Sequence, residues 1–527
     1  MDNLKKIVAA AIKQAEISDI STKSQSSQAN EIVSFVCEHM ELFHNNNKDI
    51  FTLDKKTNVV RRLNGRQFLD WLTASYYEKT NKSIRDQSLR EALSTLSGLG
   101  RYKGKLQNAH VRIAQHGNNY YLDLCQPENS KVVKLSIGHW EIIESAPVRF
   151  VRSETMQPLP DPVHGGDLFK LKEICNIPET SFLLAIAWLA EALRPDTPFP
   201  VLELLGEQGS AKSTTQTVLR RIIDPNSCDL RSTPKSPEDV FVGSSINHIL
   251  SYENVSHLSH AMQDAFCIIA TGGGYAKRKL YSDSDEIVIQ AKNPIITNGI
   301  AAIITAQDLI DRTITIELPI IQKRTETPKL WFIFEQSHPY ILGGLLDVVA
   351  NALALLPTTN LPAGENPRLI EFVRFGMAIA KAMNLSGNDF LYQFTASRQE
   401  AIARTIDASP VASALIEWFE HQGKTECVLS TKDLFIQVER YRPQGTDAWP
   451  KSAKGFGDSL RRAAPALRQL NIECKCLGKQ GSFVKWQISE KDNSSKQSLE
   501  CLDVTEKDIK TFKTSNTLIP SDDYEEF

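Results

Sequence analysis

The chain has 527 residues, 41% hydrophobic, 23% charged and 8% aromatic, with a formal net charge of −3. That length suits roughly two to four domains with cores that fold without disulfide or metal staples. The charge excludes a uniformly basic nucleic-acid coat but not a local basic surface, and the nine cysteines lack a CxxC pair, as expected of reduced thiols.

Lys13, Glu16 and Asp19 interrupt the short apolar stretch at the N-terminus, which predicts an amphipathic helix and not a signal peptide. No apolar run reaches the ~18 residues of a membrane span, so the expectation is a cytoplasmic protein with no membrane partner. Residues 1–30 read as a helix and a Ser/Gln-rich linker. Residues 31–152 mix both periodicities, an α+β domain: a hairpin at 49–53 and 59–63, helices at 66–77 and 88–99, strands at 111–114, 120–124, 132–137 and 140–143. Asp70 and Asp123 stand isolated there, as caps or surface groups. Neither a zinc cluster nor a paired-carboxylate strand suggests primase chemistry. Residues 153–166 are Pro-rich and read as a linker.

Beyond it come helices at 166–176 and 181–193, then a buried strand at 199–205. Gly206-Glu207-Gln208-Gly209-Ser210-Ala211-Lys212-Ser213-Thr214 follows that strand and opens a helix. A phosphate-binding loop needs this arrangement, because glycines let the backbone turn tightly and aim N–H groups at phosphate oxygens. Lys212 would reach the β/γ-phosphates of ATP and Ser213 would ligate Mg²⁺. Ala211 stands where glycine is usual, and a left-handed backbone there would be strained. The stretch 248–254 supplies an acidic strand end, Glu253-Asn254: Glu253 near the metal, Asn254 orienting water, or else Glu253 a surface group at a strand end.

Further on, Thr271-Gly272-Gly273 leads into a basic hairpin with Lys277, Arg278 and Lys279. A strand then ends in Asn298, and Asp311-Arg312 precedes another strand. This order resembles AAA+ helicases of superfamily three, in particular the primase-helicase branch of poxviruses, phages and plasmids and related ATPases of bacterial mobile elements. The resemblance spans about 171–385. It implies a central αβα P-loop sandwich at 167–325 with a helical lid at 326–408. It also implies Asn298 as a sensor of the γ-phosphate, Arg312 as an arginine finger acting on a neighbouring subunit, and Arg368 as a second sensor. Lys277, Arg278 and Lys279 would lie on the hairpin that touches DNA. The alternatives are a strand-end cap for Asn298 and, for Arg312, an ion pair with Asp308 or Asp311.

Residues 451–485 concentrate basic residues, with Lys454, Arg461, Arg462 and Arg468 on a helix whose apolar face is Leu460, Leu467 and Leu470. Strands at 472–477 and 482–488 around a turn at 478–481 make a wing. Residues 409–489 therefore read as a winged-helix DNA-binding domain, or as a packing domain with a solvated basic face. Residues 490–527 read as an acidic disordered tail. The whole is a multidomain α/β chain. The reading is an ATP-dependent DNA helicase for a phage, plasmid or integrated mobile element, a homo-hexamer acting with separate primase or replication factors. A loader or switch that hydrolyses ATP without unwinding, or a defence ATPase, shares the same site.

Overall fold

Ser27 accepts from Asn30 N–H at 3.3 Å and so starts α1 (Gln28–His39), which buries Ile32, Phe35 and Val36 on one stripe. This computed structural model describes residues 27–127, 129–278, 286–407, 409–443, 449–480 and 483–490. Most of the predicted first segment, the residue Lys279 and the predicted tail beyond residue 490 lie outside them; residues 28–30 are helical, not linker.

Strands β1 (Met40–His44), β2 (Ile50–Asp54) and β3 (Val60–Arg62) form an antiparallel meander. Helices α2 (Arg66–Thr80) and α3 (Asp86–Lys103) pack on it through Phe68, Leu72, Tyr76 and Leu96. β4 (Lys105–Leu106) joins β1 in parallel, giving the order β3-β2-β1-β4. β5 (Ala109–His110) is followed by a second meander, β6 (Ile113–His116), β7 (Asn119–Asp123), β8 (Val132–Ser136) and β9 (His139–Ile143). β10 (Arg149–Phe150) then pairs in parallel with β5. The hairpin, both helices and this meander occur where the sequence predicts them.

The stretch 153–166 is not the free linker that its prolines suggested. Met156 and Leu159 are buried, and Gln157 N–H donates to Pro225 O at 2.9 Å. A Cβ on Gly343 would lie 1.8 Å from Val163 O, so only glycine admits this close approach. Buried polar groups reinforce the packing. Arg112, held at φ 63°, donates to Asp224 Oδ1 at 3.1 Å, Asp123 O at 3.0 Å and Gln157 O at 2.8 Å. Asp123 is thus no surface group: it is buried and takes both Nε (2.9 Å) and Nη2 (2.7 Å) of Arg152. Asp70 is exposed and lies 3.6 Å from Arg66.

The second meander shares its core with the sheet that follows, so residues up to Arg404 make one compact unit. After α4 (Leu171–Ile174) and α5 (Glu179–Glu191) come β11 (Val201–Leu205), α6 (Lys212–Ile223), α7 (Pro237–Ser244), β12 (Leu250–Tyr252) and α8 (His260–Thr271). A hairpin of β13 (Gly273–Arg278) and β14 (Glu286–Ala291) precedes β15 (Ile295–Gly299), α9 (Gln307–Ile310) and β16 (Thr313–Glu317). The strands form a parallel sheet, order β12-β15-β11-β16. β11 and β15 are buried at every residue, as parallel strands covered on both faces must be.

Three helices close the unit: α10 (Thr327–Leu355), α11 (Ile370–Ala382) and, as far as Arg404, α12 (Gly387–Asp407). The stretch expected to form a helical lid opens with α10, which carries Pro339 inside it. Nor are α10 and α11 a separable lid: Ile341, Leu345, Phe372 and Phe375 pack in one core with Trp188, Leu202 and Leu204. Residues 327–358 are long and apolar enough to cross a membrane, with mean hydropathy 1.7, but 56% of that window is buried within the fold. Here the apolar run serves a core.

From Thr405 the chain forms a second compact unit. It contains α13 (Pro410–Gln422), β17 (Glu426–Ser430), α14 (Thr431–Val438), α15 (Ala453–Gln469), β18 (Ile472–Gln480) and β19 (Phe483–Glu490), with strand order β17-β19-β18. β17 was not foreseen. The turn expected at 478–481 is displaced, because β18 bulges between Cys476 and Gly478 and continues to Gln480.

Candidate nucleotide site and nucleic-acid surfaces

In a parallel sheet all carboxyl ends lie on one edge, where α/β folds bind ligands. Here that edge carries the loop after β11, Glu253-Asn254 after β12, and Asn298 in β15. The register pairs Leu204 with Asn298 and Thr297 with Tyr252, so the three segments sit at one level.

The loop leaves β11 through Gly206 at φ 150°, where a Cβ would lie 2.7 Å from Leu318 O. Gly209 follows at φ 92° and Ala211 at φ 59°, ψ 32°, the left-handed geometry expected to strain an alanine. Ala211 caps α6 without a side-chain hydrogen bond, and Ser213 and Thr214 follow in the first turn, half-buried. Lys212 is 9% exposed, and its ammonium donates to Gly206 O at 2.7 Å and Glu207 O at 2.8 Å, with Ser210 Oγ at 3.4 Å. All three partners are neutral, and burial lowers the lysine's pKa. A cation held by dipoles alone, beside an uncapped helix N-terminus, favours an anion.

Asn298 is fully buried and uses both ends of its amide: Nδ2 donates to Gln216 Oε1 at 2.5 Å and Oδ1 accepts from Asn254 N–H at 2.9 Å. Gln216 in turn donates to Ser251 Oγ at 2.8 Å and Tyr252 O at 3.1 Å. Asn298 therefore ties the loop's helix to the turn that presents Glu253, where Asn254 takes φ 49°. Gln216, on one helix face with Lys212, is a positioning residue that motif reading passed over. Asn176 and Arg324 were missed for lack of any local signature. Asn176 Nδ2 donates to Ser210 O at 3.1 Å, and the Arg324 guanidinium passes 3.1 Å from where a Cβ on Gly209 would lie.

Arg312 and Arg368 are not brought to this loop. Val201 N–H donates to Arg312 O at 2.9 Å, which puts Arg312 at the amino edge of the sheet, opposite Gly206. There Arg312 pairs with Asp308 Oδ1 at 2.6 Å, and Arg368 reaches the same oxygen at 3.2 Å. The hydrogen bond from Arg312, with Arg368 nearby, holds the Asp308 carboxyl below its usual value. Asp311 pairs with Arg398 at 2.9 Å. Lys277 and Arg278 end β13, as the hairpin reading placed them.

In the second unit Lys454, Arg461, Arg462 and Arg468 are all exposed on α15, while Phe456, Leu460 and Leu467 face inward. Leu470 is not part of that apolar face: it caps the helix and is 46% exposed. Arg461 pairs with Asp458 at 2.8 Å and lies over Trp486, and Arg462 donates to Ser459 Oγ at 3.2 Å.

Residues 168–393 match the family model of the actinomycete integrative conjugative element replication protein, and residues 411–499 match the C-terminal domain model of that RepA family. Two models of one mobile-element replication-protein family thus match successive parts of the chain. No curated protein matches it. Solved apo structures of the NrS-1 C-terminal region are similar. An A form is 12% identical at a TM-score of 0.37, covering 86% of this chain and 98% of that one. A second A form is 13% identical at 0.39 with the same coverage, and a third structure is 11% identical at 0.38, covering 88% and 100%. It is the two family matches that support a role in replication of a mobile element.

Proposed function

We propose that this replication protein is an ATP-driven DNA helicase with an AAA+ core, working as a homo-hexamer on forked or single-stranded DNA. The buried, carboxylate-free environment of Lys212 at the carboxyl edge carries this reading. ATP would lie along residues 206–214, its phosphates facing the N-terminal amides of α6 and the Lys212 ammonium. Ser213 and Glu253 offer the hard oxygens that suit Mg²⁺. Such an ion is commonly held by one or two protein oxygens together with phosphates and water. The ion would neutralise developing phosphate charge, Glu253 and Asn254 would orient the attacking water, and Asn298 would hold their turn in place.

Arg312, on the opposite edge with Arg368, would serve a neighbour's nucleotide and not its own. Lys277 and Arg278, with Lys279 beyond them, would follow the DNA strand on the hairpin. In the second unit the order helix, strand, two helices and a β18–β19 hairpin suits a winged helix. Its exposed α15 would face the major groove and its hairpin the backbone. Replacing Arg461 and Arg462 by Ala should weaken duplex binding irrespective of sequence and lower the salt slope by about 1.8.

Strand displacement on a forked duplex with ATP and Mg²⁺ tests the function. Displacement that Lys212→Ala abolishes is expected. DNA-stimulated hydrolysis without displacement would favour the loader or switch, a reading to which the Arg312–Asp308 pair lends some support.

A further inference from the structure

Between the first sheet and the base of the β13–β14 hairpin lies an open cleft of about 1340 Å³. Small-molecule sites run to roughly 300–1,000 Å³ and are mostly apolar. This one is larger, and it is lined by Lys48, Arg62, Arg101 and Lys292 against a single carboxylate, Asp49. Asn45 Nδ2 donates to that carboxylate at 2.9 Å, which satisfies one of its oxygens locally. The other polar lining groups are the imidazoles of His110 and His248 together with amides and hydroxyls, among them Asn47, Gln115 and Ser245. Asn47 Nδ2 donates to Val288 O at 3.3 Å, so the turn between β1 and β2 touches the hairpin and bridges the two walls.

The C-terminal end of α3 continues the basic character outside the cleft. Arg101 lines it, and the next residue, Tyr102, is 91% exposed, followed by exposed Lys103. Among the described residues the Tyr102 ring stacks on no other ring. A large ring held in water between two cations has no packing role. It has the form of the platforms on which single-stranded bases stack, with cations tracking the backbone. A chain with net charge −3 otherwise has little reason to gather cations here.

We propose that this cleft is a single-stranded DNA path, with Tyr102 as a base-stacking platform beside it and Arg101, Lys48 and Lys292 as phosphate contacts. It is distinct from the basic helix α15 and deepens the helicase reading, on which the choice of DNA rests. Lys277 and Arg278 would then receive the strand from the cleft.

Fluorescence anisotropy of labelled oligo-dT on the full-length protein, without nucleotide, tests it. Tyr102→Ala should weaken binding about 5- to 150-fold, the range seen for one stacked base, while Tyr102→Phe stays near wild type. Lys48→Glu with Arg101→Glu should weaken it further and lower the salt slope by about 0.7 or more per charge. Hydrolysis of ATP without DNA should remain in all three variants, which keeps this test separate from the nucleotide site. Unchanged oligo-dT affinity in Tyr102→Ala and in the charge-reversed variant would overturn the proposal. So would binding of oligo-rU that depends on Tyr102 more strongly than binding of oligo-dT.

Discussion

The two edges of the parallel sheet hold charge in opposite ways. At the carboxyl edge Lys212 is buried and faced only by backbone carbonyls and a hydroxyl, and the amides of Gln216 and Asn298 are locked to each other. At the amino edge Arg312, Arg368 and Arg398 are each met by a carboxylate of the short segment 308–311. A desolvated cation without a counter-ion gains most from an incoming anion. A guanidinium already paired must exchange one partner for another. On the proposed function the first edge would take a ligand of its own subunit, whereas the second would act only when another surface competes for Asp308.

Lys212→Ala breaks this contrast most completely. It should drop ATP hydrolysis to background while the thermal melt stays near that of wild type, because the lysine supports no buried ion pair. A phosphate-release assay at saturating ATP measures this, and turnover at the wild-type level would remove the nucleotide site from this edge.

Arg312→Ala tests the other edge. If the guanidinium leaves Asp308 for a neighbour's nucleotide, ATP still binds but turnover falls by roughly 10³–10⁵, the range known for arginine fingers. Mixing with Lys212→Ala should restore part of the activity, because some interfaces then join an intact Lys212 to an intact Arg312. A purely structural ion pair predicts a less stable protein and no recovery on mixing.

A smaller effect concerns how the sheet is anchored to the rest of its unit. Burial pushes the Asp224 carboxyl up, but Arg112 and Arg220 outweigh it and hold the pKa below its ordinary value. Stability from such a depressed acid is present above the unfolded pKa of about 4 and is lost as pH falls through the folded value. Arg112→Met leaves Asp224 without its salt-bridge partner and should cost about 3–5 kcal/mol at neutral pH. The acid limb of the melting profile should also move to higher pH. An unshifted limb would mean that Arg220 alone holds the charge.

What the sequence disclosed follows the same physical division. The turn at residues 206–214 was legible because the glycines that shape it are local in sequence, and β11 before it and α6 after it were legible from periodicity. The basic α15 was legible as a charge run on an amphipathic helix. Asn298 was found as a strand end, but its engagement with Gln216 depends on two segments meeting across the sheet, which no spacing encodes. The same holds for Asn176, Arg324 and the Asp123–Arg152 pair. Prolines suggested a linker at 153–166, yet Gly343 and Gly344 on α10 make room for that backbone, so the stretch packs. Composition alone cannot separate an extended segment in solvent from one laid against a helix.

The smallest expected effect sharpens the comparison at Ala211. Its φ of 59° and ψ of 32° place an L-residue in the left-handed region, which costs roughly 1–2 kcal/mol relative to the right-handed one. Glycine would remove that cost, but its freer unfolded chain takes back about 0.5–1 kcal/mol. Ala211→Gly should therefore stabilise the protein by a few tenths to about 1 kcal/mol, read as a higher urea midpoint at unchanged slope. The substitution alters no group at the amino edge, so Arg312-dependent behaviour should be unaffected. If the strain instead holds the amides of α6 aimed at a phosphate, relaxing it should also raise the KM for ATP while leaving kcat near wild type. A stability gain with KM unchanged would make Ala211 a tolerated cost of the fold, and a loss of stability would show that the alanine methyl packs favourably enough to outweigh its backbone.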